Sequence, residues 1–201
     1  MRSGEAVPLV VFVVGAPGAG KSTVARHLAE RLGCAEFLSG DVLRRTAEQD
    51  DEVGRDVADR LSRDETMPVP LYCRVVRREV GPADKGVVFD GFPRTLEQCL
   101  AIPTVLDAAG VPGADVLGLG LLVPATVSID RISRRGERAE DTAHLARTRL
   151  STHVRRSTDI ATAFATRWPY VELDATDGIA QVVDAALAAL SARVDRVAER
   201  R

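Results

Sequence analysis

Residues 15–23 read Gly-Ala-Pro-Gly-Ala-Gly-Lys-Ser-Thr. They fit the pattern G-x-x-x-x-G-K-[ST], with Gly15, Gly20, Lys21 and Ser22 at the defining positions. The chemistry that this spacing serves is the holding of a nucleoside triphosphate. Glycines let backbone N–H groups converge on phosphate oxygens, and the helix that follows offers its positive end at the same place. Pro17, Gly18, Ala19 and Thr23 complete the expected cradle. Lys21 is expected to reach the β- and γ-phosphates, and the Ser22 hydroxyl to ligate Mg²⁺. A chance match in this chain is on the order of one in a thousand. The loop does not say where the phosphoryl group goes, because motors, GTPases, transport ATPases and small-molecule kinases share it.

Two further stretches bear on the acceptor. Residues 38–44 read Leu-Ser-Gly-Asp-Val-Leu-Arg, and residues 89–98 read Phe-Asp-Gly-Phe-Pro-Arg-Thr-Leu-Glu-Gln. Asp90 ends a buried strand pattern, where a carboxylate can hold Mg²⁺ through water; a helix N-cap or an ion-pair partner is the plainer alternative. Arg94 follows Phe92-Pro93, and a fork of donors on a fixed backbone suits an acceptor phosphate. Arg44 lies one helical turn after Asp41 and could reach the same phosphate; for either arginine alone the plainer alternative is a surface ion pair. The Gln98 amide offers both a donor and an acceptor, which matches an adenine edge.

With these three motifs in this order, the chain resembles the adenylate kinases, within the nucleoside monophosphate kinases. That family's signatures read S-T-G-D-x-L-R and D-G-[FY]-P-R-x-x-x-Q, and the likeness runs from about residue 9 to residue 190. The resemblance implies MgATP + AMP ⇌ 2 ADP, with an AMP site made of Ser39, Gly40, Arg44, Met67, Gly91, Arg94 and Gln98. It also implies that the backbone around Glu65 to Met67 lines the acceptor base pocket. Ser39 stands where the family has threonine, Leu38 where it has serine, and Asp64 where it has glycine. A kinase for CMP, UMP or a specialised acceptor, and a nucleotide-binding switch without turnover, are the rival readings.

Residues 131–149 carry six arginines against three acids in a chain whose formal charge is −2. A solvated helix surface is the plainer reading of such a run. Phosphoryl transfer favours another, since catalysis rests on positioned cations and exclusion of water, which a closing lid supplies. Here the resemblance implies that Arg131 stacks on the ATP adenine and that Arg135, Arg138 and Arg149 contact the transferring and acceptor phosphates. The family's R-x-D-D pattern reads Arg138-Ala-Glu140-Asp141. Only Gly136 and Glu137 separate Arg135 from Arg138, so a short lid over about 132–141 is expected, without a zinc subdomain. His27, His144 and His153 have no Ser or Cys partner spacing and read as helix-surface residues.

The elements must bring these groups together, and composition limits how. The chain has 201 residues, 45% apolar and 28% charged, which fits one domain of ordinary soluble type. Its 25 arginines outnumber two lysines, Lys21 and Lys85, and the near-neutral balance gives no field for nucleic acid or an anionic membrane. Cys34, Cys73 and Cys99 are far apart and form no C-x-x-C pair. A disulfide framework is therefore not expected, and a reducing cytoplasm is the default. The longest apolar run, Val7 to Gly15, is too short to span a membrane. It could pass for a weak signal peptide, but a Gly-rich loop follows where a cleavage site should stand. A monomer is expected.

Buried strands are predicted at residues 8–14, 36–38, 86–89, 116–123 and 170–173. Helices are predicted at 21–32, as three short pieces within 41–80, at 95–109 despite Pro103, at 125–133, from about Asp141, and at 179–196. This alternation makes an α/β fold with a parallel sheet and right-handed crossovers. The resemblance gives it as a P-loop NTPase with five strands in the order 2-3-1-4-5. The acceptor-binding helical insertion falls at about 41–70, within a core of about 8–40, 71–131 and 142–198.

Overall fold

The computed structural model describes residues 7–135 and 159–198. Its sheet has five parallel strands in the order β2-β3-β1-β4-β5: β1 (Leu9–Gly15), β2 (Ala35–Leu38), β3 (Gly86–Asp90), β4 (Asp115–Leu122) and β5 (Tyr170–Asp174). Between them lie α1 (Lys21–Leu32), α2 (Ser39–Ala47), α3 (Glu52–Ser62), α4 (Val69–Glu79), α5 (Leu96–Leu100), α6 (Ile102–Ala108) and α7 (Ala125–Arg135). A helix over 159–165, here α8, precedes β5, and α9 (Ile179–Ala198) follows it.

β1 is central because nothing in Leu-Val-Val-Phe-Val-Val needs water, and Val10 to Val13 are wholly buried. Alternate residues feed two cores. Val10 and Phe12 join Phe37, Phe89 and Val116 under α4, α5 and α6, whereas Val11 and Val13 join Leu117, Leu119, α1 and α9 on the other face. α1 shows the helical counterpart of this pattern, burying Val24, Ala25, Leu28 and Ala29 on one stripe. Gly33 ends it in a left-handed conformation.

The helix predicted over 95–109 is two helices. Pro103 has no N–H to donate to the Cys99 carbonyl, so the chain turns at Ala101 and restarts with proline in the first turn of α6. The stretch 41–80 holds three short helices, as predicted, although the first begins at Ser39. α4 runs past residue 70, and its Tyr72, Val75 and Val76 enter the core of the sheet. Asp64 has φ +52, the left-handed conformation that a glycine would adopt most easily. Residues 132–135 of the expected lid are the end of α7; the rest of the lid, the helix predicted from Asp141, His144 and His153 lie outside the described residues.

Candidate active site

Register places the site. β1 sets Val13 beside Asp90 of β3, and β2 sets Leu38 beside that same Asp90. Three chains therefore leave the sheet together at its carboxyl edge, the edge where open parallel sheets take ligands. From β1 comes the Gly-rich loop, from β2 the start of α2, and from β3 the turn to Arg94.

The Gly-rich loop is braced before any phosphate meets it. Gly18 has φ +80, and a Cβ there would stand 2.6 Å from the Ser128 carbonyl oxygen of α7. The buried Ser128 hydroxyl donates to the Pro17 carbonyl. The Ala19 N–H donates to the Ala16 carbonyl at 3.1 Å, and Lys21 Nζ donates to that same oxygen at 2.9 Å. Gly18, Gly20 and the first turn of α1 are then the groups placed to receive phosphate.

Ser22 Oγ donates to Asp90 Oδ2 at 2.5 Å, tying the loop to β3. Asp90 is only 6% exposed, and its Oδ1 has no hydrogen-bond partner among the described residues. A buried carboxylate oxygen without a partner beside a serine hydroxyl suits Mg²⁺, which takes one or two protein oxygens and completes its shell with water and phosphate. Asp90 and Ser22 therefore fit that ion.

On the acceptor side, Ser39 Oγ lies 2.5 Å from the Asp90 carbonyl and 2.8 Å from Tyr72 Oη. Arg94 Nε donates to the Gly91 carbonyl at 2.8 Å, which sets its guanidinium against the turn. A Cβ on Gly91 would come within 3.0 Å of Arg94 Nη2, so glycine is needed there for room as well as for its φ of +75. Arg44 pairs with Asp41, and its guanidinium lies over Gly40, 3.5 Å from where a Cβ would be.

Comparison with known proteins agrees with this geometry. A family model described as adenylate kinase matches residues 13–168. The chain is 34% identical to the adenylate kinase of Mycobacterium leprae over 143 residues, which is 70% of this chain and 77% of that one. It is 35% identical to that of Thermus thermophilus over 147 residues, 71% and 76% of the two chains. With the Kocuria rhizophila adenylate kinase it shares 29% over 185 residues, 90% and 97%. The chain belongs to the adenylate kinase family.

In this family member several expected site groups already have partners. The Gln98 amide, buried to 3% exposure, accepts from the Arg94 N–H at 2.7 Å and donates to the Met67 carbonyl at 2.8 Å. It thus ties the Arg94 turn to the segment before α4 and keeps one lone pair and one N–H for a base. The Ser39 hydroxyl is equally internal. Arg131 donates to the Ala175 and Thr176 carbonyls at 3.0 and 3.3 Å, joining α7 to the loop after β5. Arg135 is the last residue of α7, and Arg138 and Arg149 lie outside the described residues.

The three cysteines are free; the Cys34 thiol lies by the Leu32 and Lys85 carbonyls, that of Cys73 by Thr104 and that of Cys99 by Ile160. Burial pushes all three thiols above their ordinary pKa, which keeps them as neutral thiols. Sequence reasoning passed over Ser128 and Tyr72. Both act across long sequence separations, and no local motif marks either.

Proposed function

We propose that this adenylate kinase family member transfers the γ-phosphoryl group of MgATP to AMP, giving two ADP. The observation that carries the reading is the Ser22–Asp90 hydrogen bond, which fastens the phosphate loop to the strand that ends four residues before Arg94. Donor and acceptor groups thereby meet at one edge. The Gly-rich loop and Lys21 hold the transferring phosphate, while Arg44 and Arg94 face the acceptor phosphate. No general base is needed, because the attacking phosphate oxygen of AMP is ionised near pH 7. Magnesium held at Ser22 and Asp90 supplies charge neutralisation on the ATP phosphates. Arg131, Arg135, Arg138 and Arg149 would gather around the nucleotides and raise the local positive charge as water leaves.

The organisation that goes with this reading is a single kinase domain with an acceptor-binding insertion at about 41–70 and a short lid at about 132–141. The protein works as a cytoplasmic monomer without zinc. Among the described residues no helix is long and apolar enough to cross a membrane.

A panel of monophosphates with MgATP tests the reading. AMP should exceed CMP, UMP and GMP by at least about tenfold in kcat/KM, roughly 1.4 kcal/mol. A win by CMP or UMP would replace AMP as the acceptor and leave the phosphoryl chemistry standing. Binding of ATP with no turnover of any monophosphate would favour a nucleotide-binding switch instead. Stoichiometric zinc found by elemental analysis would overturn the zinc-free lid.

A further inference from the structure

We infer that Tyr72 is a positioning residue for the acceptor subsite, its phenol fixing, through Ser39, the turn that carries Asp90 and Arg94. This rests on the functional reading above, which assigns no role to Tyr72.

Tyr72 lies on the core face of α4 and is 1% exposed. Its ring stacks on Phe92 at a centroid distance of 4.4 Å and meets the edge of Phe37 at 5.8 Å. A phenylalanine would make both contacts. The hydroxyl is what packing does not require, since burying one is costly unless it is bonded. It is bonded, to Ser39 Oγ at 2.8 Å. Ser39 in turn lies 2.5 Å from the Asp90 carbonyl, which can only accept. The single Ser39 proton therefore goes to Asp90, and the proton between the two hydroxyls belongs to Tyr72. The result is a directed chain, Tyr72 to Ser39 to the Asp90 carbonyl.

That carbonyl begins the turn. The next residue, Gly91, has φ +75, lies where a Cβ would stand 3.7 Å from Ser39 Cβ, and offers its own carbonyl to Arg94 Nε. Ser39 also starts α2, which carries Gly40 and Arg44. One hydroxyl pair thus sets the two acceptor arginines relative to each other. The ATP cradle meets this directed chain only at Asp90, whose side chain, not its carbonyl, takes the Ser22 hydroxyl; its other contacts, those of Gly18 and Pro17 with α7 and of Lys21 with Ala16, are separate. Loss of the phenol oxygen should therefore weaken the acceptor far more than ATP.

The test is Tyr72→Phe in the full chain. KM for AMP should rise about fivefold, as expected for one lost buried hydrogen bond, with KM for ATP within about twofold of the parent. In a Ser39→Ala background the same change should add nothing. Ribose 5-phosphate has the phosphate and sugar but no base. Its dissociation constant, read by displacement titration without turnover, should rise by the same factor as that of AMP.

An unchanged KM for AMP, an equal rise for both nucleotides, or effects of Tyr72→Phe and Ser39→Ala that simply add would overturn the inference. If Tyr72→Phe folds poorly, Ser39→Ala reads the same link: the dissociation constants of AMP and ribose 5-phosphate should rise by the same factor, and an unchanged ribose 5-phosphate affinity overturns the inference. Failure of the parent enzyme to use AMP strikes the functional reading instead, because the titration does not depend on turnover.

Discussion

Asp90 has one carboxylate oxygen on Ser22 and the other buried without a partner among the described residues. Asp90→Asn should keep the fold, since it removes a buried negative charge, yet lower kcat at least about tenfold and raise the Mg²⁺ concentration needed. A magnesium titration of turnover beside a melting curve checks both halves. Lys21→Met removes the charge that the proposed reaction uses on the transferring group and should cost at least about a hundredfold in kcat; near-normal turnover in a folded variant would dismiss the loop assignment. Gln98→Leu acts twice. It should narrow the preference for AMP, and it strips partners from the Arg94 N–H and the Met67 carbonyl, at about 1–3 kcal/mol for each buried group left unpaired. Lys21, Ser22, Asp90 and Arg94 were legible in the sequence because each stands in a short motif whose spacing is itself the chemistry. Tyr72 and Ser128 were not, because their partners lie 33 and 111 residues away and only the folded sheet brings them close.

The three helices between β2 and β3 carry both a strength and a flaw. Asp51 caps α3, accepting from the Gly54 N–H at 2.7 Å, and pairs with Arg78 of α4. The backbone bond first, and the Arg78 charge after it, hold the Asp51 carboxyl below its ordinary pKa. A pKa lowered by folding adds stability that is complete above the ordinary carboxylate value near 4 and is lost as pH falls through the folded value. Acidification through that range should lower the melting temperature, and Asp51→Asn, which keeps a capping side chain, should flatten part of the fall. The flaw is Thr46 of α2, whose hydroxyl is fully buried and has no partner among the described residues. Thr46→Val keeps the shape and should stabilise the protein by about 1 kcal/mol, or about 2–4 °C in melting temperature. At this scale the sequence was legible wherever hydrophobic period and capping agreed, as in α1 and the five strands. It was misleading at Pro103, where the apolar period continues across α5 and α6 and only the missing N–H marks the break.

Across the whole molecule the two faces of the sheet are built from different materials. All five Phe, both Tyr and the one Trp pack in one core, and the core shared with α1 and α9 is aliphatic. The aromatic rings form one connected path. It runs from Phe37 and Tyr72 through Phe92 and Phe12 to Phe164, where Trp168 and Tyr170 attach. Composition gave the small number of rings but not their gathering, which follows from the alternation of strand faces and from α4 and α8 meeting the same side. The path joins α4 to α8, and residues 41–70, which carry no aromatic ring, enter the same core through Val42, Leu43, Val57 and Met67. That shared core argues that residues 41–70 and the sheet unfold together. Trp168 lies at one end, with its ring centroid 5.4 Å from that of Phe164, so its fluorescence reports on that end alone, while far-UV circular dichroism reports on all the helices. In a denaturant titration the two curves should superimpose. Tyr72→Ala, at the opposite end, leaves a cavity of the kind that costs about 3–5 kcal/mol and should move both midpoints by the same amount. A circular dichroism transition that precedes the Trp168 transition, in the parent or in Tyr72→Ala, would mean that the helices between β2 and β3 melt by themselves and that the shared core does not couple them to the sheet.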